Sequence, residues 1–130
     1  MVATAAETFD NRISASDAEI VAEAVIAAAD RLEVSGQRLA AVIGISPSTV
    51  SRIRSGRFSL ERDPKACELS VLFIRMYRSL DAIVGGDRAV AAAWLRNDNT
   101  ALGARPIDLI RTVSGLANVI AYLDSRRAPL

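Results

Sequence analysis

The 130-residue chain contains no histidine and a single cysteine, Cys67. Without imidazole it lacks the commonest general base and metal ligand. One thiol cannot close a disulfide within the chain, so nothing points to an oxidising compartment. No apolar run approaches the ~18 residues that can span a bilayer. Met1 to Asn11 lacks a basic start and a long apolar core, so no signal peptide is expected and the protein should be cytoplasmic. There is no Walker loop and no CxxC pair, and Gly85-Gly86 reads as a helix break rather than a phosphate cradle. Cys67 lies in an apolar helical pattern with no histidine partner, which suits a core thiol better than a nucleophile. These absences weigh against an enzyme. No cofactor and no metal are expected, and a carboxylate pair is the one catalytic option that composition leaves open.

Hydrophobic residues make up 51% of the chain, many of them Ala and Leu rather than β-branched runs. That mixture favours packed helices over sheet. The length suits one compact domain or two very small helical units that share a core. Net charge is only +1, but it is unevenly spread. Residues 1–30 carry one Arg against six acids, −5, while residues 31–62 carry six Arg against two acids, +4. Residues 63–130 sum to +2, so the middle block is the candidate for contact with phosphate.

Residues 1–15 have weak periodicity and read as a loose arm. Ser16-Asp17-Ala18-Glu19 reads as a capping box, and Ile20, Ala24, Ala28 and Leu32 continue it as an apolar stripe beside Val21 and Val25. Ser35-Gly36 breaks that helix. A short one follows from Gln37 to Ile43, with Gly44 as a left-handed cap. Ser46-Pro47 opens the next helix, which runs to about Ser55 and stops at Gly56. Arg57 to Arg62 reads as a polar connection and a domain boundary. Asp63-Pro64 restarts helix with Leu69, Leu72, Phe73, Met76, Tyr77, Leu80 and Ile83 as its stripe. Gly85-Gly86 ends it, and Asp87 caps a shorter helix to about Leu95. Residues 97–100 read as a turn. Arg105-Pro106 opens an apolar pattern that continues to Asp124, bent or split at Gly115, before a tail at Ser125–Leu130. No repeat and no low-complexity linker is apparent.

Gly36 to Ser55 has the spacing of a helix-turn-helix. Leu39 and Ile43 are apolar on its first helix, and small Ala40 lies where the two helices must approach. Gly44 makes the turn, Ile45 plugs the core, and Val50 and Ile53 form the buried face of the second helix. The segment resembles the Xre/Cro type. Ser48, Thr49, Ser51, Arg52 and Ser55 are left outward, as candidates for phosphate or base-edge contact, with Arg54 and Arg57 near the DNA backbone. The competing reading is a plain helical hairpin with a solvated Arg face. A mildly basic face suits a dimer reading two half-sites.

The most informative segment is Trp94-Leu95, then Asn99-Thr100-Ala101-Leu102-Gly103, Pro106-Ile107-Asp108-Leu109 and Thr112-Val113-Ser114-Gly115. This series resembles the toxin-binding domain of the Xre/MbcA/ParS antitoxins, which carries Trp-Leu, Asn-x-x-Leu-Gly, Pro-x-x-Leu and Thr-x-x-Gly in that order. It departs from the pattern at Asp98, where Pro is common, and at Ala104, where Gly often stands. With the upstream motif, the resemblance spans roughly residues 20–130. It implies an all-α protein: an arm at 1–15, a helix-turn-helix bundle at 16–62 and a compact helical toxin-binding domain at 63–130.

The resemblance further implies an antitoxin that binds a RES-domain, NAD-consuming toxin and covers its active site, with repression of its own operon as a second role. Its partners would be that toxin and operator DNA, with no membrane, as a homodimer within a toxin–antitoxin hetero-oligomer. Trp94, Asn99, Leu102, Arg126, Arg127 and Leu130 are the candidate toxin contacts. Arg126, Arg127 and the Leu130 carboxylate would lie on a tail able to enter an NAD pocket. Alternatives stand beside each. Trp94 also suits core, and the two arginines also suit a helix end whose dipole they complement. A stand-alone helix-turn-helix repressor is the rival to the antitoxin reading.

Overall fold

A computed structural model describes residues 13–127. Seven α-helices account for most of them: α1 (Ala15–Arg31), α2 (Gly36–Ile43), α3 (Pro47–Arg54), α4 (Pro64–Ile83), α5 (Arg88–Arg96), α6 (Pro106–Leu109) and α7 (Val113–Arg127). Among the described residues the sole β-type pairing is a bridge between Asn99 and Ala104. None of the described helices is long and apolar enough to cross a membrane.

Local chemistry explains most helix ends. Ser35, Ser46, Asp63 and Asp87 each accept a backbone N–H three residues on, and Pro47 and Pro64 occupy first-turn sites where no N–H is needed. Gly44, at φ 78°, closes α2. At the first helix the cap is Ser14 rather than Ser16: its hydroxyl accepts from Asp17 N–H at 3.2 Å. The expected arm therefore gives way to helix at Ala15, and residues 1–12 lie outside the described part.

The stripe expected on α1 holds at Val25, Ala28 and Leu32 but fails at Ile20. Ile20 is 63% exposed, whereas Ala18, Val25, Ala28 and Ala29 are buried. Three of these four are alanines, so α1 can lie close against α4, and the bulkier Ile20 falls on the other face. Helix α4 is the central element. Leu69, Phe73, Met76 and Leu80 are buried against α1, α2 and α7, while Ile83, expected on the same stripe, is exposed.

The 57–62 connection is not simply polar. Leu60 is completely buried, on a single 3-10 turn (Leu60–Arg62), and joins Ala18, Ile53, Ala66 and Cys67 in a second cluster. The main core runs from Val25 to Leu123, so apolar packing continues across the boundary drawn after Arg62. That boundary falls at the cap of α4, a helix that both halves share.

Beyond Pro106 the expected long helix is two. Helix α6 ends at Leu109 and α7 begins at Val113, so the break lies at residues 110–112, ahead of Gly115. Thr112 Oγ1 accepts from Gly115 N–H at 3.0 Å and so starts α7. A Cβ on Gly115 would lie 1.8 Å from the Leu109 carbonyl oxygen. Gly115 therefore lets the end of α6 press against the start of α7.

Candidate functional site

Two surfaces draw on the residues singled out by sequence. The first is the outward face of α3. Val50 and Ile53 anchor that helix in the core, which turns Ser48, Ser51, Arg52 and Ser55 to solvent and leaves Thr49 half-buried. All five expected residues thus share one side of the helix and its cap. All but Ser51 are linked by hydrogen bonds. Ser46 Oγ lies 3.0 Å from Ser48 Oγ and 2.8 Å from Thr49 Oγ1, and Arg52 Nη2 donates to Thr49 Oγ1 at 3.0 Å. Ser55 Oγ donates to the Arg52 carbonyl at 3.2 Å and accepts from Arg57 Nε at 3.0 Å.

Arg54 does not join this face. Its guanidinium donates to both Asp30 carboxylate oxygens, at 3.0 and 3.1 Å, and ties α3 back to the end of α1. The bidentate geometry holds Asp30 below the ordinary carboxylate range and raises Arg54. Arg54 therefore serves the scaffold, spending its guanidinium on Asp30. Arg57 stays outward, and Arg62 covers the Phe58 ring at 5.4 Å.

The second surface lies where α5 meets α7. Trp94 and Tyr122 stack with ring centroids 6.3 Å apart and planes 17° apart, and the Arg126 guanidinium lies 5.8 Å from the Tyr122 ring centre. Both rings are half-buried and rest on the main core, so Trp94 packs as a core residue on one side and is open to solvent on the other. Tyr122 was not among the expected site residues. The available signal was its place four residues before Arg126, one helical turn away on the same face.

The remaining expected residues play other parts. Asn99 Oδ1 accepts from Leu102 N–H at 3.0 Å, and Gly103 N–H donates to the Asn99 carbonyl at 2.8 Å. Gly103 takes φ 84°, and Leu102 packs on the core. The Asn-x-x-Leu-Gly series is thus a self-closing turn that carries the chain from α5 to α6. Arg126 and Arg127, expected on a loose tail, lie in the last turn of α7. They are held there because Asp124 and Arg127 both bond to α4. Ser79 Oγ donates to Asp124 Oδ1 at 2.7 Å and accepts from Arg127 Nη1 at 3.0 Å, and Arg75 pairs with Asp124 at 2.7 Å. The Ser79 hydroxyl, followed by Arg75, lowers the Asp124 pKa. Leu130 lies outside the described residues.

The surfaces are joined through the end of α1. Arg88 donates to the Asp30 carbonyl at 2.9 Å, and Arg96 donates to the carbonyls of Leu32 and Glu33. A second link runs from Arg38 on α2 to Asp108 on α6, at 3.6 Å. Among the described residues no group of His, Cys, Asp and Glu could hold a metal ion.

Residues 12–75 match the family model of the antitoxin Xre-like helix-turn-helix domain. Residues 79–128 match that of the antitoxin Xre/MbcA/ParS C-terminal toxin-binding domain. Comparison with curated proteins finds no match.

Proposed function

The chain belongs to the Xre/MbcA/ParS antitoxin family, and on that footing we propose that it inhibits a RES-domain, NAD-consuming toxin by covering its active site, and represses its own operon. The observation that carries this reading is the presence of both family domains, in order, on one continuous core. An antitoxin that is also a repressor needs two separate surfaces on one rigid body. The hydroxyl-and-arginine face of α3 suits operator DNA. The Trp94–Tyr122–Arg126 ladder suits a toxin surface, since aromatic and Arg anchors dominate protein interfaces. Asn99 and Leu102 shape the turn that follows the helix bearing Trp94, and Arg127 ties α7, which bears Tyr122 and Arg126, to α4.

The protein acts in the cytoplasm, without chemistry of its own, and as a dimer matched to two half-sites. Co-expression with the product of the adjacent reading frame tests the reading. The neighbour alone should arrest growth and deplete cellular NAD, and this chain should restore both. Arrest that the chain does not relieve removes the antitoxin–toxin pairing with that neighbour. Relief of an arrest that leaves NAD untouched keeps the pairing and overturns the NAD-consuming target.

A further inference from the structure

We propose that Thr49 is a positioning residue for DNA reading: it aims Arg52 at the edge of a guanine. The inference rests on the operator-binding half of the function above. Its starting point is the direction of one hydrogen bond. Arg52 Nη2 and Thr49 Oγ1 are 3.0 Å apart, and a guanidinium can only donate, so the threonine oxygen is the acceptor. The Thr49 proton is then free for Ser46 Oγ at 2.8 Å, and the Ser46 proton for Ser48 Oγ at 3.0 Å. Ser46 Oγ also accepts the Thr49 backbone N–H at 3.1 Å, which fixes the start of the relay to the helix cap.

In this ordering both open ends of the relay are donors. One end is the unused N–H groups of Arg52; the other is the exposed Ser48 hydroxyl. A donor fork held in one orientation matches the paired acceptors O6 and N7 of guanine in the major groove. Adenine offers N7 beside an N6 donor, which cannot accept from the second prong. Thr49 also lowers the ordering cost, because a free Arg side chain loses rotamer entropy when it docks. Its β-branched side chain has few χ1 choices, so the oxygen that holds Arg52 is itself well placed. The other arginine on α3, Arg54, is bound to Asp30, leaving Arg52 as that helix's cation for a base.

The test is selection from a pool of random-sequence DNA duplexes by the full-length chain, followed by affinity measurements on the enriched duplex and its single-base variants. Wild type should enrich a motif with one guanine per half-site, preferred about 5- to 150-fold over other bases, the range of one bidentate base contact. Arg52→Ala should lose that guanine preference. Thr49→Val should weaken it while the rest of the motif and the thermal melting curve stay close to wild type. Thr49→Ser, which restores the oxygen, should recover most of it. A Thr49→Val protein with undiminished guanine preference overturns the positioning role. An Arg52→Ala protein that loses affinity equally for every duplex overturns base reading in favour of phosphate contact. No enrichment by wild type removes operator binding itself, a separate failure from the other two.

Discussion

At the scale of single residues, several positions that mark the family serve the scaffold. Thr112 and Gly115 do so together: the threonine caps the first turn of α7, and the glycine makes room for the Leu109 carbonyl. In an open helix, Gly→Ala gains roughly 0.5–1 kcal/mol. Here a Cβ would overlap a backbone oxygen at 1.8 Å, which flexible side chains cannot relieve. Gly115→Ala is expected to destabilise by about 1–3 kcal/mol, the range for overpacking a well-filled site. A thermal melt checks the sign, and a stabilised variant would show that α6 and α7 separate at little cost. Asn99 is the same kind of residue, with its side chain spent on the Leu102 N–H. Cys67 is buried, and that burial pushes its thiol pKa up, in keeping with the core role read from the sequence.

At the scale of elements, the end of α1 is the most heavily used joint. Val34 N–H donates to the Ala29 carbonyl at 2.8 Å and Glu33 N–H to the Asp30 carbonyl at 3.1 Å, the pairing of a Schellman end. The left-handed position of that motif usually holds Gly, but here it holds Glu33 at φ 57°. A side chain in that region costs roughly 1–2 kcal/mol. Arg96 offsets part of it by donating to the Glu33 and Leu32 carbonyls from α5. Glu33→Gly should therefore raise stability, by up to about 1 kcal/mol after the added freedom of the unfolded chain is counted. Chemical denaturation would register this as a higher midpoint at unchanged slope. A lower midpoint would mean that the Glu33 side chain contributes more than its backbone costs.

At the scale of the whole molecule, three carboxylates hold separate parts together. Asp30 ties α3 to α1, Asp108 links α2 to α6, and Asp124 joins α7 to α4. Each pKa is lowered: Asp30 by the hydrogen bonds from Arg54, Asp108 by those from Arg105, and Asp124 by the Ser79 hydroxyl and Arg75. A depressed carboxylate binds fewer protons in the folded state. Its contribution is therefore complete above the unfolded value of about 3.9 and fades as pH falls through the folded value. The melting temperature should change little from neutral pH to about pH 5 and fall below about pH 4. Asp124→Asn should melt lower at neutral pH and show a shallower acid decline, because one of the three groups no longer titrates. An acid decline as steep in Asp124→Asn as in wild type would show that Asp124 contributes nothing to it. With no histidine in the chain, none of this dependence comes from imidazole.

The sequence by itself determined the fold class, most helix ends and the outward set on α3. Those features depend on near neighbours: a hydroxyl three residues before an N–H, a proline in a first turn, an apolar spacing along one helix. It also carried the family, through residues 94–115, whose turn and cap chemistry is local. Only the tertiary structure decided what distant residues share. Periodicity cannot say which of two neighbouring stripes faces the core, so Ile20 was misplaced and Ala18 passed over. A connection with an arginine at each end, Arg57 and Arg62, hides one buried leucine, Leu60, which fills the gap between α1 and α4. The withdrawal of Arg54 by Asp30 and the anchoring of Arg127 on Ser79 span 24 and 48 residues of chain. Packing of whole helices brings those groups together, and that packing ties Arg54 to the end of α1 and holds Arg126 and Arg127 in the last turn of α7.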